Sequence, residues 1–252
     1  MSWLKKLFGQ RPPEGEGVSS GRVVPVATLQ LAPPEGPVTL YQDQILRKQW
    51  AEGVVASQGV AINAHLPCIE GQAETKLRAV NEVADRLLAL AIVAVKGEGL
   101  EQHLVEEFIA ERGARQLFSP REIAFIDDPN SSEHDRIQFS WRYEAAWTLL
   151  WALNLIEPML GSPDDTCDPA RLIAIVRDSS DLAAHGLQSA NNILNEADLI
   201  YRYHWAVRQN SIDGTTAIGD LHPGVVMERH HALNWLIGYS ERADWDDVTT
   251  DT

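Results

Sequence analysis

Residues 140–157 read SWRYEAAWTLLWALNLIE, and this stretch decides the fold class. From Ala145 to Ile156 nearly every side chain is apolar. A helix formed by this stretch is apolar all round, which is typical of the buried centre of a bundle, because a surface helix keeps one polar face. We therefore predict a central helix at 140–157 with other helices packed around it.

Helical periodicity recurs along most of the remaining chain, and no run of alternating polar and apolar residues predicts strands. Start signals precede two of the predicted helices: Ser119-Pro120 followed by Glu122, and Asp168-Pro169. The predicted fold class is all-α, a single orthogonal bundle of about eight helices with a flexible N-terminal leader. The longer predicted helices besides 140–157 are 73–95, 100–112, 187–209 with a break near Asn195, and 224–238, and a polar loop is predicted at 130–135.

The first residues of the chain differ in composition from the rest. Residues 1–38 are rich in Pro and Gly, which is typical of a flexible linker. Residues 39–252 form the predicted helical domain, which begins with a capping box at Thr39 and Gln42. The N-terminal tip places four apolar side chains at helical spacing, with two lysines between them. The tip therefore either contacts a membrane surface weakly or is a frayed terminus. These apolar residues are Trp3, Leu4, Leu7 and Phe8.

The chain is strongly acidic. It carries 36 acidic and 21 basic side chains, which give a formal net charge of −15. Because nucleic-acid binding needs a basic surface, this charge argues against it and favours a protein partner with a basic surface. No apolar run reaches the roughly 18 residues that a membrane span needs. Cys68 and Cys167 lie far apart and form no CxxC motif, which favours a location in the reducing cytoplasm.

Charged residues interrupt the apolar faces of three predicted helices. Arg229 falls at the centre of the apolar face of 224–238 with Glu228 at its edge, whereas His231 and Asn234 point away from that face. A buried charge needs a partner, so Arg229 predicts a carboxylate on another helix. Two other helices each add an acid and an arginine, so the predicted polar network consists of Arg142, Glu144, Asp198, Arg202, Glu228 and Arg229.

The sequence leaves the role of this network open. Its members either bridge neighbouring helices and fix their register, or line a pocket that binds a ligand or holds a general acid or base. The tryptophans of the same helices are either core residues or aromatic walls of that pocket. These candidate pocket aromatics are Trp147, Trp151, Trp205 and Trp235, and no residue is assigned a catalytic role.

No cofactor and no metal site is predicted. The chain contains no HExxH motif, no phosphate-binding loop and no dinucleotide fingerprint. Glu228 and His231 form a single ExxH motif, whereas di-iron bundles use that motif twice. The closing Asp246, Asp247 and Asp251 are either a solvated acidic tail or ligands of a hard cation, and we favour the solvated tail.

Three stretches and the closing residues resemble a known family. The stretches begin at Trp141 (WRYEAA), Leu194 (LNEADLIYRYHWAVR) and Glu228 (ERHHALNWL), and the chain closes on WDDVTTDT from Trp245. Together they resemble a bacterial family catalogued as a domain of unknown function, number 4272, from about Leu46 to the C-terminus. This resemblance implies no established activity, cofactor or catalytic residue.

Two functions follow from these observations. The first is a non-enzymatic binding or interaction module of the cytoplasm, whose acidic surface attracts a basic partner. The alternative is an enzyme that acts on a small anionic substrate, in which Arg142, Arg202 and Arg229 hold the anion. In that enzyme, Glu144 or Glu228 moves a proton.

Overall fold

The computed structural model describes residues 42–241 and 244–252. Within these residues the chain forms nine α-helices and no strand, which confirms the all-α prediction. The predicted leader, its membrane-contact residues and the cap at Thr39 lie outside the described residues. The helices are α1 Gln42–Ser57, α2 Val80–Glu98, α3 Gln102–Arg112, α4 Pro120–Asp127, α5 Glu133–Ser140, α6 Arg142–Ala152, α7 Pro169–Asp178, α8 Ala190–Asp213 and α9 Pro223–Ile237.

Helix α6 is the central helix that its sequence predicts. Ala145, Ala146, Leu149 and Leu150 on this helix are fully buried. Helix α6 packs against α2 and α9, α9 packs on α8, and α8 packs on α1. This row of helices therefore forms the core. Each large apolar side chain buried there stabilises the fold by about 1.5–3 kcal/mol.

The central helix is shorter than predicted, since it ends at Ala152 and not at 157. Asn154 adopts a left-handed conformation with φ of 57°, which a continuing α-helix does not allow. The N–H groups of Asn154 and Leu155 donate to the carbonyls of Trp151 and Leu150 and so close the last turn. The chain then leaves the helix toward a loop that carries Gly161 and Cys167.

Helix α2 is also buried, continuously from Leu87 to Lys96. It packs against α5 and α6. Gly97 permits the close approach of α5, because a Cβ at this position would lie 2.6 Å from the Ser140 nitrogen and 2.7 Å from the Arg136 oxygen. The backbone at the end of α5 therefore rests directly on a residue without a side chain.

Both helix-start signals are confirmed. The Ser119 hydroxyl accepts a hydrogen bond from the Glu122 nitrogen (3.3 Å), and Glu122 Oε2 accepts one from the Ser119 nitrogen (2.9 Å). This reciprocal pair is the capping box, and it places α4 where the sequence predicts it. Asp168 Oδ1 likewise accepts from the Arg171 nitrogen (3.0 Å) at the start of α7.

Three other predicted boundaries are wrong. Helix α2 begins at Val80 and not at 73, because the Arg78 nitrogen donates to the Leu236 carbonyl (3.1 Å) and ties this segment to the end of α9. Helix α5 begins inside the predicted loop 130–135, capped by Ser132. Helix α8 runs without the predicted break near Asn195, because it packs against both α1 and α9.

The C-terminal residues 244–252 cover the outer face of α9. Trp245 is buried, and its ring lies 4.5 Å from that of His231 between centroids. Asn234 Nδ2 donates to the Thr249 carbonyl (2.8 Å). The prediction that His231 and Asn234 point away from the core is therefore wrong, because this segment supplies a second layer that the helix periodicity did not include.

The closing acidic residues form the solvated tail that we favoured only in part. Asp246 is half-buried, and its carboxylate accepts hydrogen bonds from the Ser119 hydroxyl (2.9 Å) and the Arg121 nitrogen (3.0 Å). It therefore stabilises the N-terminus of α4, where a negative charge is favourable. Asp247 and Asp251 are exposed. No helix in the described part of the chain is long and apolar enough to cross a membrane.

Candidate functional site

Arg142 and Glu228 form the ion pair that joins α6 to α9. Arg142 Nη1 lies 2.8 Å from both carboxylate oxygens of Glu228. The Glu228 side chain is 8% exposed and that of Arg142 is 22% exposed. Burial raises the pKa of Glu228, and the Arg142 charge opposes that rise. The pair bridges two helices, as the structural interpretation of the network predicts.

Asp198 and Arg202 form a second ion pair, which lies within α8. Arg202 Nη2 donates to Asp198 Oδ1 (2.7 Å) and its Nε donates to Oδ2 (3.3 Å). Arg202 Nη1 also lies 3.6 Å from a Glu52 oxygen on α1. Burial raises the pKa of Asp198, whereas the charges of Arg202 and Arg47 lower it. Since Arg47 and Glu52 both belong to α1, this pair lies on the side of α8 that faces α1.

Arg229 is buried on α9, as predicted, but its partner is not the predicted carboxylate. Its side chain donates from Nη1 to the Gly161 carbonyl (2.9 Å), and no carboxylate oxygen of the described residues lies within 4.0 Å. Burial lowers the Arg229 pKa, whereas the charges of Glu144, Glu196 and Asp164 raise it. The guanidinium is therefore balanced by several acidic groups at longer range.

Glu144 and Glu196 are the acids whose charges raise the pKa of Arg229 most. Glu144 is buried, its Oε1 accepts from the Cys167 nitrogen (2.6 Å), and its Oε2 is buried without a hydrogen-bond partner among the described residues. Burial raises the pKa of Glu144. Burial also raises the pKa of the half-buried Glu196 to about 7, and the Arg229 charge opposes this rise.

Glu196, Cys167 and Asp164 were not among the residues that the sequence indicated. Tyr203 of α8 is buried, and Glu196 lies seven residues before it, so an unbroken helix places both residues on one face. The break that we predicted near Asn195 hid this relation. Cys167 and Asp164 lie on the loop after α6. Hydrophobic periodicity predicts the faces of helices and does not predict which helix a loop contacts, so these two residues could not be found in this way.

Of the four candidate tryptophans, two are buried and two are half-buried. Trp151 is 1% exposed, and its indole nitrogen donates to the Pro158 carbonyl (3.1 Å). Trp235 meets Trp245 edge to face, with centroids 5.7 Å apart. Trp147 is half-buried beneath Arg171, and Trp205 is also half-buried. None of the four lines the groove or the cavity described below.

Two buried histidines join α8 to α9 in a way that the sequence did not predict. The Nδ1 atoms of His204 and His230 lie 2.7 Å apart, so one ring donates its proton to the other. Burial lowers the pKa of His204 to about 4 and lowers that of His230 well below its ordinary value. Both rings are therefore neutral at neutral pH and share a single hydrogen bond.

An open groove of about 570 Å³ lies beside α4, α5 and the beginning of α6. Arg142 is the member of the predicted network that lines it. Three of its carboxylates, those of Asp128, Asp135 and Asp246, form no ion pair with any described residue. We call it the acidic groove, and it is lined by Arg121, Glu122, Ala124, Phe125, Asp128, Ser131, His134, Asp135, Gln138, Phe139, Arg142, Trp245 and Asp246.

The described residues bring together no group of three or more His, Cys, Asp or Glu side chains that could hold a metal ion. Glu228, from the single ExxH motif, is occupied by Arg142, and His231 packs on Trp245. The geometry thus offers ion pairs, a buried polar cluster around Arg229 and an acidic groove.

Comparison with known proteins identifies the class of the chain. Residues 47–248 match the family described as a domain of unknown function, DUF4272. The chain therefore belongs to this family, as the quoted stretches indicated. The comparison with curated proteins gave no match, and the comparison with solved structures gave none either.

Proposed function

We propose that the protein is a non-enzymatic binding module of the cytoplasm that holds a basic segment of a partner protein in the acidic groove. The carboxylates of Asp128, Asp135 and Asp246, which form no ion pair with a described residue, carry this proposal, although the charge of Asp128 also acts on the buried Lys96. Two of the other charges of the groove are balanced within the chain, since Glu122 pairs with Arg86 and Arg142 pairs with Glu228. The exposed Arg121 forms no ion pair with a described residue and offsets one of the three free negative charges.

The apolar surface of the groove suits the stems of lysine and arginine side chains. The rings of Phe125 and Phe139 stack with centroids 4.1 Å apart, and Trp245 adds a third ring. Ala124 on α4 also contributes an apolar side chain to the lining. Long basic side chains pack their carbon stems on such surfaces and keep their charges beside carboxylates.

Two buried atoms of groove-lining side chains retain unused hydrogen-bonding capacity. Glu122 Oε1 is an acceptor and Trp245 Nε1 is a donor, and neither has a hydrogen-bond partner among the described residues. Both side chains are almost completely buried. Because both atoms are closed off from solvent, a ligand in the groove pairs with them only where these side chains shift to admit it.

The contacts of the three arginines favour binding over the enzyme alternative. Arg142 and Arg202 each hold a carboxylate at 2.8 Å or less. Arg229 has Glu144, Glu196 and Asp164 as its electrostatic neighbours. An anionic substrate would have to compete with these acids, and Glu228 as proton carrier is already bound to Arg142.

The experiment measures binding of a fluorescent peptide rich in lysine and arginine to the full chain, by anisotropy. The test variant is Asp128→Asn with Asp135→Asn. The matched control is Asp165→Asn with Asp220→Asn, which changes the net charge equally at exposed positions outside the groove. We expect the groove variant to weaken binding about two- to thirtyfold, because each of the two lost ion pairs contributes about 0.2–1 kcal/mol.

A second arm raises the salt concentration, and binding should weaken as the charges are screened. Equal losses in both double variants would mean that net charge alone attracts the peptide, and the groove would then have no role. A glutamate-rich peptide of the same length that binds as tightly would also overturn the proposal.

A further inference from the structure

A second concavity, the α8–α9 cavity, has a volume of about 350 Å³ and lies apart from the acidic groove. Residues of the loop 67–70, of α8 and of α9 line it together with Asp251 and Thr252. Two of the three stretches that carry the family resemblance meet the closing residues there: Tyr201 comes from the second stretch, His230 and Asn234 from the third, and Asp251 from the closing residues. The volume is in the range of small-molecule sites, which start at about 300 Å³.

The charge of the cavity lining is negative. It includes the carboxylates of Glu70 and Asp251 and no lysine or arginine. Glu70 Oε2 is buried without a hydrogen-bond partner among the described residues, and neither acid forms an ion pair there. The guanidinium of Arg202 lies over the ring of Tyr201, but it is already bound by Asp198. An uncompensated buried carboxylate oxygen is a strong acceptor for a cationic donor.

His230 supplies a second acceptor for the same donor. Its Nδ1 is engaged with His204 Nδ1, which leaves Nε2 as the ring nitrogen without a hydrogen bond among the described residues. When His230 donates its Nδ1 proton to His204, Nε2 carries a lone pair. A donor in the cavity selects this arrangement of the shared proton, so the histidine pair adapts to the ligand without a change of charge.

The remaining lining suits the apolar part of an organic molecule. Tyr201 and Tyr239 contribute aromatic rings, and Ile69 and Ile237 contribute aliphatic side chains. Aromatic rings also attract a cation through their negative faces. We propose that the α8–α9 cavity binds a small organic cation, an amine whose ammonium group contacts Glu70 and His230 and whose apolar part lies against the tyrosines.

The experiment titrates the full chain with benzylamine by calorimetry, with benzyl alcohol and benzoate as neutral and anionic probes of the same shape. The test variant is Glu70→Gln, which keeps the size of the side chain and removes its charge. The matched control is Glu74→Gln, an exposed acid of the same loop that does not line the cavity. Circular dichroism checks that both variants are folded.

We expect saturable binding of benzylamine to the unmodified chain and to Glu74→Gln. The affinity of Glu70→Gln should be at least about tenfold lower, because this variant removes one partner of a buried charge pair. Nuclear magnetic resonance should show that the ring signals of His230 shift on titration. The proposal is overturned if benzyl alcohol or benzoate binds as well as the amine, if both glutamine variants bind alike, or if no saturable binding of benzylamine occurs.

Discussion

At the residue scale, two arginines of neighbouring helices, the half-buried Arg142 and the buried Arg229, are balanced differently. Arg142 has one carboxylate at hydrogen-bonding distance, whereas Arg229 has a carbonyl and a set of more distant acids. The rule that a buried charge needs a partner predicted that both would be compensated. It could not predict which group would compensate them, because the loop carrying Gly161 is placed by packing and not by periodicity.

The Arg142–Glu228 pair provides a test of buried charge pairing. We expect Arg142→Met to lower the free energy of unfolding by about 3 kcal/mol, because it leaves the Glu228 charge buried and unpaired. Adding Glu228→Met should recover much of this loss, since the uncompensated charge is then gone. Urea denaturation of the two variants and of the unmodified chain measures both values.

The matched control for this prediction is Arg115→Met. Arg115 also pairs with a carboxylate, that of Asp127, but both side chains are about half exposed. Its substitution should therefore cause a much smaller loss, because water solvates the remaining carboxylate. If the double variant at Arg142 and Glu228 is no more stable than Arg142→Met, the loss comes from packing and not from charge.

At the element scale, local signals predicted helix starts well and helix ends less well. The capping residues Ser119 and Asp168 act through neighbours three residues away, so their effect can be predicted from the sequence alone. The end of α6 and the continuity of α8 depend on contacts with distant segments. The buried outer face of α9 depends on residues 244–252, which the periodicity of α9 itself cannot indicate.

The contact of α5 with α2 gives a second prediction. Gly97→Ala should destabilise the chain by about 1–3 kcal/mol, because the new methyl group meets the backbone of Arg136 and Ser140 at less than 3 Å and the backbone cannot move aside cheaply. Gly53→Ala, in the interior of the exposed part of α1, meets no atom within 4 Å and should stabilise by up to about 1 kcal/mol. Thermal and urea unfolding of both variants distinguish these opposite signs.

At the scale of the whole molecule, ionisable groups with opposite effects make stability depend on pH. The buried His204, His230 and His231 have lowered pKa values, so acidification below their ordinary value of 6.5 favours the unfolded chain. Glu196 acts in the other direction, because its pKa is raised from 4.5 to about 7. In the unmodified chain the two contributions therefore partly cancel in the dependence of the free energy of unfolding on pH. A single substitution is needed to separate them.

Glu196→Gln removes one of these contributions and leaves the histidines in place, so their effects cancel in a comparison of the two proteins. Below pH 4.5 Glu196 is protonated in the folded and the unfolded chain, and its contribution to stability is complete. Between pH 4.5 and about 7 the unfolded chain releases this proton first, so the contribution is lost as the pH rises. The stability of Glu196→Gln relative to the unmodified chain should therefore increase by about 2–3 kcal/mol over this interval. Urea denaturation at a series of pH values measures the difference, and Glu107→Gln, at an exposed position on α3, should show none. A difference that stays constant or decreases with pH would show that the carboxyl of Glu196 is ionised in the folded chain, held in that state by Arg229.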